Sequence, residues 1–142
     1  MLHRLACLIY LVIANNAIGQ SFMMGSDYYP EHFPIEDVSR DASIMKAGGM
    51  NIVRMGDFAW FKMQPNSNTY TLDWLVKSVD TLGKYNIITL LCTPTAAIPK
   101  WMFDQHPDIM QVTETGQRKP YGKRRHACLN NETYRNYSAK IA

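Results

Sequence analysis

The sequence predicts an α/β chain of parallel β-α units, and three observations carry that prediction. Short apolar runs at residues 22–28, 50–55 and 87–92 alternate with two stretches whose apolar residues recur at helical spacing. Strands that alternate with amphipathic helices pair in parallel through right-handed crossovers. The turn after the first run reads Tyr28-Tyr29-Pro30-Glu31-His32 and holds no glycine-rich phosphate loop, which disfavours a nucleotide-binding start. A doubly wound sheet and a (β/α) barrel both begin in this order, and alternation alone does not choose between them.

The elements follow in sequence. Residues 22–28 form a short, largely apolar strand. Pro34 suits the first position of a helix, and Glu36 and Asp37 suit its positive end. Ile35, Val38, Ala42 and Met45 then make one helical face, closed by Gly48-Gly49. Residues 50–55 give a second strand, followed by Gly56-Asp57-Phe58-Ala59-Trp60. A loop through Pro65 and Asn66-Ser67-Asn68 leads to a second helix striped by Leu72, Leu75, Val76, Val79 and Leu82, with Asn86 as its C-cap. The continuous apolar run 87–92 is expected of a strand covered on both faces. Residues 93–122 read as a long loop punctuated by proline and glycine, and a third helix starts near Asn130.

The N-terminus is set apart from this pattern. His3-Arg4 precedes the unbroken apolar run 5–14, and Ala17-Ile18-Gly19 supplies small residues two apart. This predicts a secretory signal over residues 1–19, cleaved near Gly19, and an exported protein. The run is about half the ~20 apolar residues that a membrane-spanning helix needs, so no membrane span is expected. Residues 20–142 are expected to be one domain segment. A formal net charge of +3 gives no electrostatic case for nucleic acid. The chain has 3 cysteines; Cys92 and Cys128 lie beyond the signal and make no disulfide framework.

The chemically distinctive residues fall just after strand ends: Tyr28, Tyr29 and Glu31, then Asp57 and Trp60, then Thr93, Thr95 and Trp101. In a parallel barrel that edge carries the active site. Aromatic faces stack on a pyranose ring while carboxylates and hydroxyls meet its hydroxyl groups. Taken singly, each ring reads better as a packing anchor on the rim; together on one edge they favour a site. The basic cluster Arg118-Lys119-Pro120-Tyr121-Gly122-Lys123-Arg124-Arg125-His126 reads either as a solvated loop or as a donor of fixed hydrogen bonds to a sugar.

Four segments carry a resemblance: Gly25-Ser26-Asp27-Tyr28-Tyr29-Pro30-Glu31-His32; Val53-Arg54-Met55-Gly56-Asp57-Phe58-Ala59-Trp60; Thr93-Pro94-Thr95-Ala96 with Pro99-Lys100-Trp101; and Gly122-Lys123-Arg124-Arg125-His126-Ala127-Cys128. In order and spacing they resemble the N-terminus of glycoside hydrolase family 42 β-galactosidases. The resemblance implies the N-terminal portion, about three β/α units, of a (β/α)8 TIM barrel. It implies hydrolysis of terminal β-galactosides or galacto-oligosaccharides with retention, by two carboxyl groups about 5 Å apart. Both would lie downstream of Ala142, so the chain alone is expected to be inactive. The alternative is a non-catalytic carbohydrate-binding or degenerate barrel fragment.

By the same resemblance Arg124 binds the galactose, with Asp57, Trp60 and Tyr29 as weaker substrate-binding candidates. Cys128 corresponds to one ligand of a structural zinc found in some relatives, which needs further cysteines; hydrolysis itself requires no cofactor. The full-length parent is expected to be a homotrimer. Asp57 stands where the family usually has Glu, and Cys92 where glycine is common. Asn131-Glu132 superficially matches the family's acid/base dipeptide, but it sits at a helix start, where an Asn cap followed by an acid is the simpler reading.

Overall fold

The computed structural model describes residues 22–142. The predicted signal at 1–19 lies outside them. Three parallel strands, β1 (Gly25–Asp27), β2 (Ile52–Met55) and β3 (Ile88–Leu91), form one sheet in the order β1-β2-β3. Helix α1 (Asp37–Ala47) connects β1 to β2, a short α2 (Trp60–Met63) follows β2, and α3 (Asp73–Lys84) leads to β3. Helices α4 (Lys100–Gln105) and α5 (Glu132–Ile141) come after the sheet. No described helix is long and apolar enough to cross a membrane.

Alternation along β2 decides the two faces of the sheet. Val53 and Met55 are fully buried and belong to a core with Val38, Ala42, Leu75 and Leu82 from α1 and α3. Ile52 and Arg54 occupy the opposite face, where Asp27 and Leu90 are Arg54's register partners on β1 and β3. Gly25 is obligatory in this register, because a Cβ there would fall 1.7 Å from the Ile52 carbonyl oxygen. β1 is shorter than the apolar run. Asn51 replaces the ladder beyond it, accepting the Met24 N–H at 2.8 Å on its side-chain oxygen.

Both crossover helices form where expected, with shifted edges. α1 begins at Asp37 because residues 34–38 make tight three-residue turns first, Asp37 N–H to Pro34 C=O at 3.1 Å. Gly49, at φ +83°, closes the helix. On α3 the buried positions are Leu75, Ser78 and Leu82, so the stripe is narrower than its apolar residues suggested, and Leu72 and Val76 are exposed. Ser78 is tolerated inside because its hydroxyl donates to the Trp74 carbonyl at 2.7 Å. Asn86 follows the C-cap Tyr85 in the left-handed region, φ +55°, as asparagine permits.

The described residues do not supply the cover expected on both faces of β3. Ile88, Leu90 and Leu91 are 54%, 53% and 53% exposed. β3 is the sheet edge, bonded only to β2, and no other described strand pairs with its outer side. The expectation of a plain loop at 93–122 is corrected. It contains α4, the 3-10 turns Pro94–Ala96 and Pro107–Ile109, and isolated bridges Met110 to Ala127 and Val112 to Arg118. These pieces build a second core of Trp60, Met102, Ile109, Met110, Ala127 and Tyr134.

Candidate functional site

The C-terminal ends of β1 and β2 meet through one arginine. Arg54 Nη1 lies 3.2 Å from Asp27 Oδ1, and Nη2 lies 3.1 Å from Asp57 Oδ2. The Asp27 hydrogen bond, reinforced by the Asp57 charge, holds the guanidinium pKa above its ordinary value. Asp57 is buried, and neither of its oxygens has an aligned hydrogen-bond donor, the Arg54 contact being an ion pair without good bond geometry. The backbone bends sharply here: Gly56 has φ +95°, with the Cys92 carbonyl 3.0 Å from where its Cβ would sit.

Tyr29 stands beside this network. Its hydroxyl donates to Asp27 Oδ2 at 3.3 Å, and its ring lies 6.0 Å from Phe58. Desolvation by burial, then the charges of Asp27 and Asp57, raise its pKa; Arg124 opposes them. Glu31 is buried with both carboxylate oxygens lacking hydrogen-bond partners. Its pKa is raised by burial above all, with the Asp57 charge adding to it and His32 and Lys62 opposing.

Arg124 comes from the loop after β3. Its guanidinium carbon sits 4.1 Å from the Phe58 ring centroid, a stacking that fixes its direction. The loop is clamped on both sides. Arg125 N–H donates to the Ala96 carbonyl at 2.9 Å, and the Gln111 amide donates to the Arg125 and Ala127 carbonyls at 2.9 and 3.0 Å. Arg125 itself holds φ +55°, a left-handed conformation that arginine rarely adopts, and Gly122 holds φ +96°.

Two adjoining concavities open on this edge. One of about 600 Å³ is lined by Arg54, Asp57, Cys92, Thr93, Thr95 and Arg125, among others. The other, of about 230 Å³, is lined by Phe58, Tyr121 and Arg124 with their neighbours. The two arginines of the Arg-Arg pair thus face different spaces. Asp57 lies in the larger, while Tyr29 reaches the Arg124 side through Phe58.

Trp60 is not a ligand-facing ring. It has no exposed surface, and its indole N–H donates to Gln64 Oε1 at 2.8 Å. It is the centre of the second core, because the turn after Gly56 directs it inward. Trp101 and Tyr28 are anchors too: the Trp101 indole donates to the Gln64 carbonyl at 2.9 Å, and the buried Tyr28 donates to Asp41 Oδ2 at 3.0 Å. Asn131 caps α5, its Oδ1 accepting the Tyr134 N–H at 3.0 Å while its Nδ2 donates to Asp108 Oδ2 at 3.1 Å. Asn131-Glu132 is therefore a helix start. Cys128 is half-buried, and among the described residues no three His, Cys, Asp or Glu side chains converge to hold a metal. One thiol falls short of the four ligands that structural zinc takes.

Arg54 and Phe58 are the residues that sequence reasoning missed. A charge alternating with buried apolar residues on β2 was the available signal for Arg54. Nothing in the sequence distinguished Phe58 from a core residue.

Parallel strand ends bearing carboxylates, aromatic rings and arginines along one edge define a segment of a parallel β/α fold with its polar groups gathered at the C-terminal ends of the strands. Residues 27–142 match the glycoside hydrolase family 42 model, described as beta-galactosidase. The chain belongs to that family, and its three β/α units are part of a (β/α)8 barrel. It is 41% identical over 118 residues to the beta-galactosidase BgaH of Haloferax lucentense, covering 83% of this chain and 18% of that one. It is 39% identical over 119 residues to a Thermus thermophilus beta-galactosidase, covering 84% and 18%. The solved beta-galactosidase of Halorubrum lacusprofundi superposes with a TM-score of 0.80 at 38% identity, over 84% of this chain and 18% of that one. The chain thus spans less than a fifth of the length of these relatives.

Proposed function

We propose that the chain is the N-terminal part of the catalytic barrel of a full-length β-galactosidase that hydrolyses terminal β-galactosides with retention. The observation that supports this most directly is Arg124, stacked on Phe58 on the edge where the strands end, with Gln111 clamping the carbonyl of its neighbour Arg125. A guanidinium held there offers several fixed donors to sugar hydroxyls. Retaining hydrolysis needs two carboxyl groups about 5 Å apart, one nucleophile and one acid/base. In this reading neither is among the described residues, and the work of this segment is binding and orientation, with Arg124 primary and Tyr29 and Asp57 flanking it. No cofactor takes part in hydrolysis. Cys128 would be one zinc ligand of a full-length protein that supplies the other thiolates. Residues 1–19 act as an export signal cleaved near Gly19, residues 20–142 form the barrel segment, and the parent assembles as a homotrimer.

The test is turnover of an aryl β-galactoside by the full-length protein and its Arg124→Ala variant. The variant should lose about 100-fold in kcat/KM, as expected for charged hydrogen bonds to substrate, with an unchanged unfolding midpoint. Unaltered kinetics would remove Arg124 from the site. A wild-type protein that binds galactosides without cleaving them would favour the non-catalytic, carbohydrate-binding reading.

A further inference from the structure

We propose that the aromatic rim running outward from Arg124 is a subsite for the sugar units on the leaving-group side of a galacto-oligosaccharide. The stacked His32–Phe61 pair forms its outer platform. This rests on the β-galactosidase reading above and extends it to a surface that a terminal galactose held at Arg124 leaves uncovered.

The rings form a continuous series. Arg124 lies 4.1 Å from Phe58, Phe58 lies 6.0 Å from Tyr29, Tyr29 lies 6.3 Å from His32, and His32 lies 6.2 Å from Phe61. Exposure rises along the series. Phe58 and Tyr29 are half-buried, His32 is exposed, and Phe61 is 46% exposed. An enzyme that removes a terminal residue holds that residue at the inner end of its site, so the rest of the saccharide must leave toward solvent. The rim leads that way.

The platform is also rigidly made. Pro30 begins the 3-10 turn Pro30–His32 that carries His32, and α2 carries Phe61. Lys62, the next residue of α2, joins the two elements: its ammonium donates to the Glu31 carbonyl at 3.1 Å and sits 4.7 Å over the Trp74 ring. The two rings are therefore held nearly parallel, 19° apart, by contacts outside the pair. Flat apolar faces with a phenol and a carboxylate alongside, Tyr29 and Asp27, suit the mixed C–H and hydroxyl surface of a pyranose.

The experiment compares two substrates of the full-length protein: methyl β-galactoside, which has no second ring, and a linear β-galactotriose. In Phe61→Ala and in His32→Ala the ratio of kcat/KM for the triose over the methyl glycoside should fall about tenfold, carried mainly by KM. Phe61→Tyr, which keeps the ring, should retain the ratio. An unchanged ratio in the alanine variants overturns the proposal, as does an equal loss on both substrates, which marks a packing role. A smaller sedimenting species with the ratio unchanged also overturns it and makes the rim a subunit contact. A wild-type protein active on neither galactoside defeats the β-galactosidase reading itself; activity on both with no change of ratio defeats only the subsite.

Discussion

The core beneath the sheet and the core around Trp60 are built by different rules. The first takes alternate residues of β2 and one face each of α1 and α3. The second is assembled from a four-residue helix, a six-residue helix, a 3-10 turn, two loop residues, Met110 and Ala127, and Tyr134 of α5. The regular core sets where the strands end. The irregular core decides where the loop carrying Arg124 lies, since Ala127 packs on it and Met110 bridges to Ala127. Regular structure thus places the edge, and irregular packing places the side chains on it.

The difference can be broken most severely at the two centres. Trp60→Ala should cost about 3–5 kcal/mol and Leu82→Ala about 3 kcal/mol, both read as lowered urea midpoints. With both substitutions made in the full-length protein, galactoside turnover by the molecules that remain folded should fall in the first and persist in the second. Equal retention of activity in both would deny the second core its role in placing the loop. A subtler cut is Gln111→Ala, which removes the amide clamp on Arg125 and Ala127 and the Lys119 contact at 2.7 Å. It should cost about 1–2 kcal/mol and lower kcat/KM by about tenfold. A loss of stability with full activity would show that the loop needs no clamp.

The smallest effect concerns Glu31. Burial raises its folded-state pKa above the ordinary value near 4.5, so the folded protein holds this proton more tightly than the unfolded chain. Stability from this group is present below that ordinary value and is lost as pH rises through the raised one. Glu31→Gln should remove that decline. The difference between the two proteins' urea midpoints should be small near about pH 4 and grow in favour of the variant toward about pH 8. Parallel curves would place the carboxyl in solvent.

What the sequence made legible follows the same division. The inward face of α1 was readable because a repeating period needs only local sequence. The apolar run of β3 is that of a strand covered on both faces, and the described residues supply only part of that cover. Trp60 was misread because its position after a strand suggested the rim, while the turn at Gly56 and the Gln64 bond direct it inward. α4 escaped detection because six residues hold too little periodicity, and its partners lie in other segments. Arg124 was reached through motif order alone; its stacking on Phe58 depends on two loops meeting in space.

Asn131 has a consequence for where this protein can be produced. Asn131-Glu132-Thr133 is an acceptor sequence for N-linked glycans, and the atom that would carry the glycan is the Nδ2 that donates to Asp108. Modification during eukaryotic secretion precedes completion of the fold, and a glycan at that nitrogen would crowd the junction between α5 and the Pro107–Ile109 turn. Bacterial expression leaves the junction bare, so material from the two kinds of host would differ at the cap of α5, the helix whose Tyr134 packs directly against Trp60.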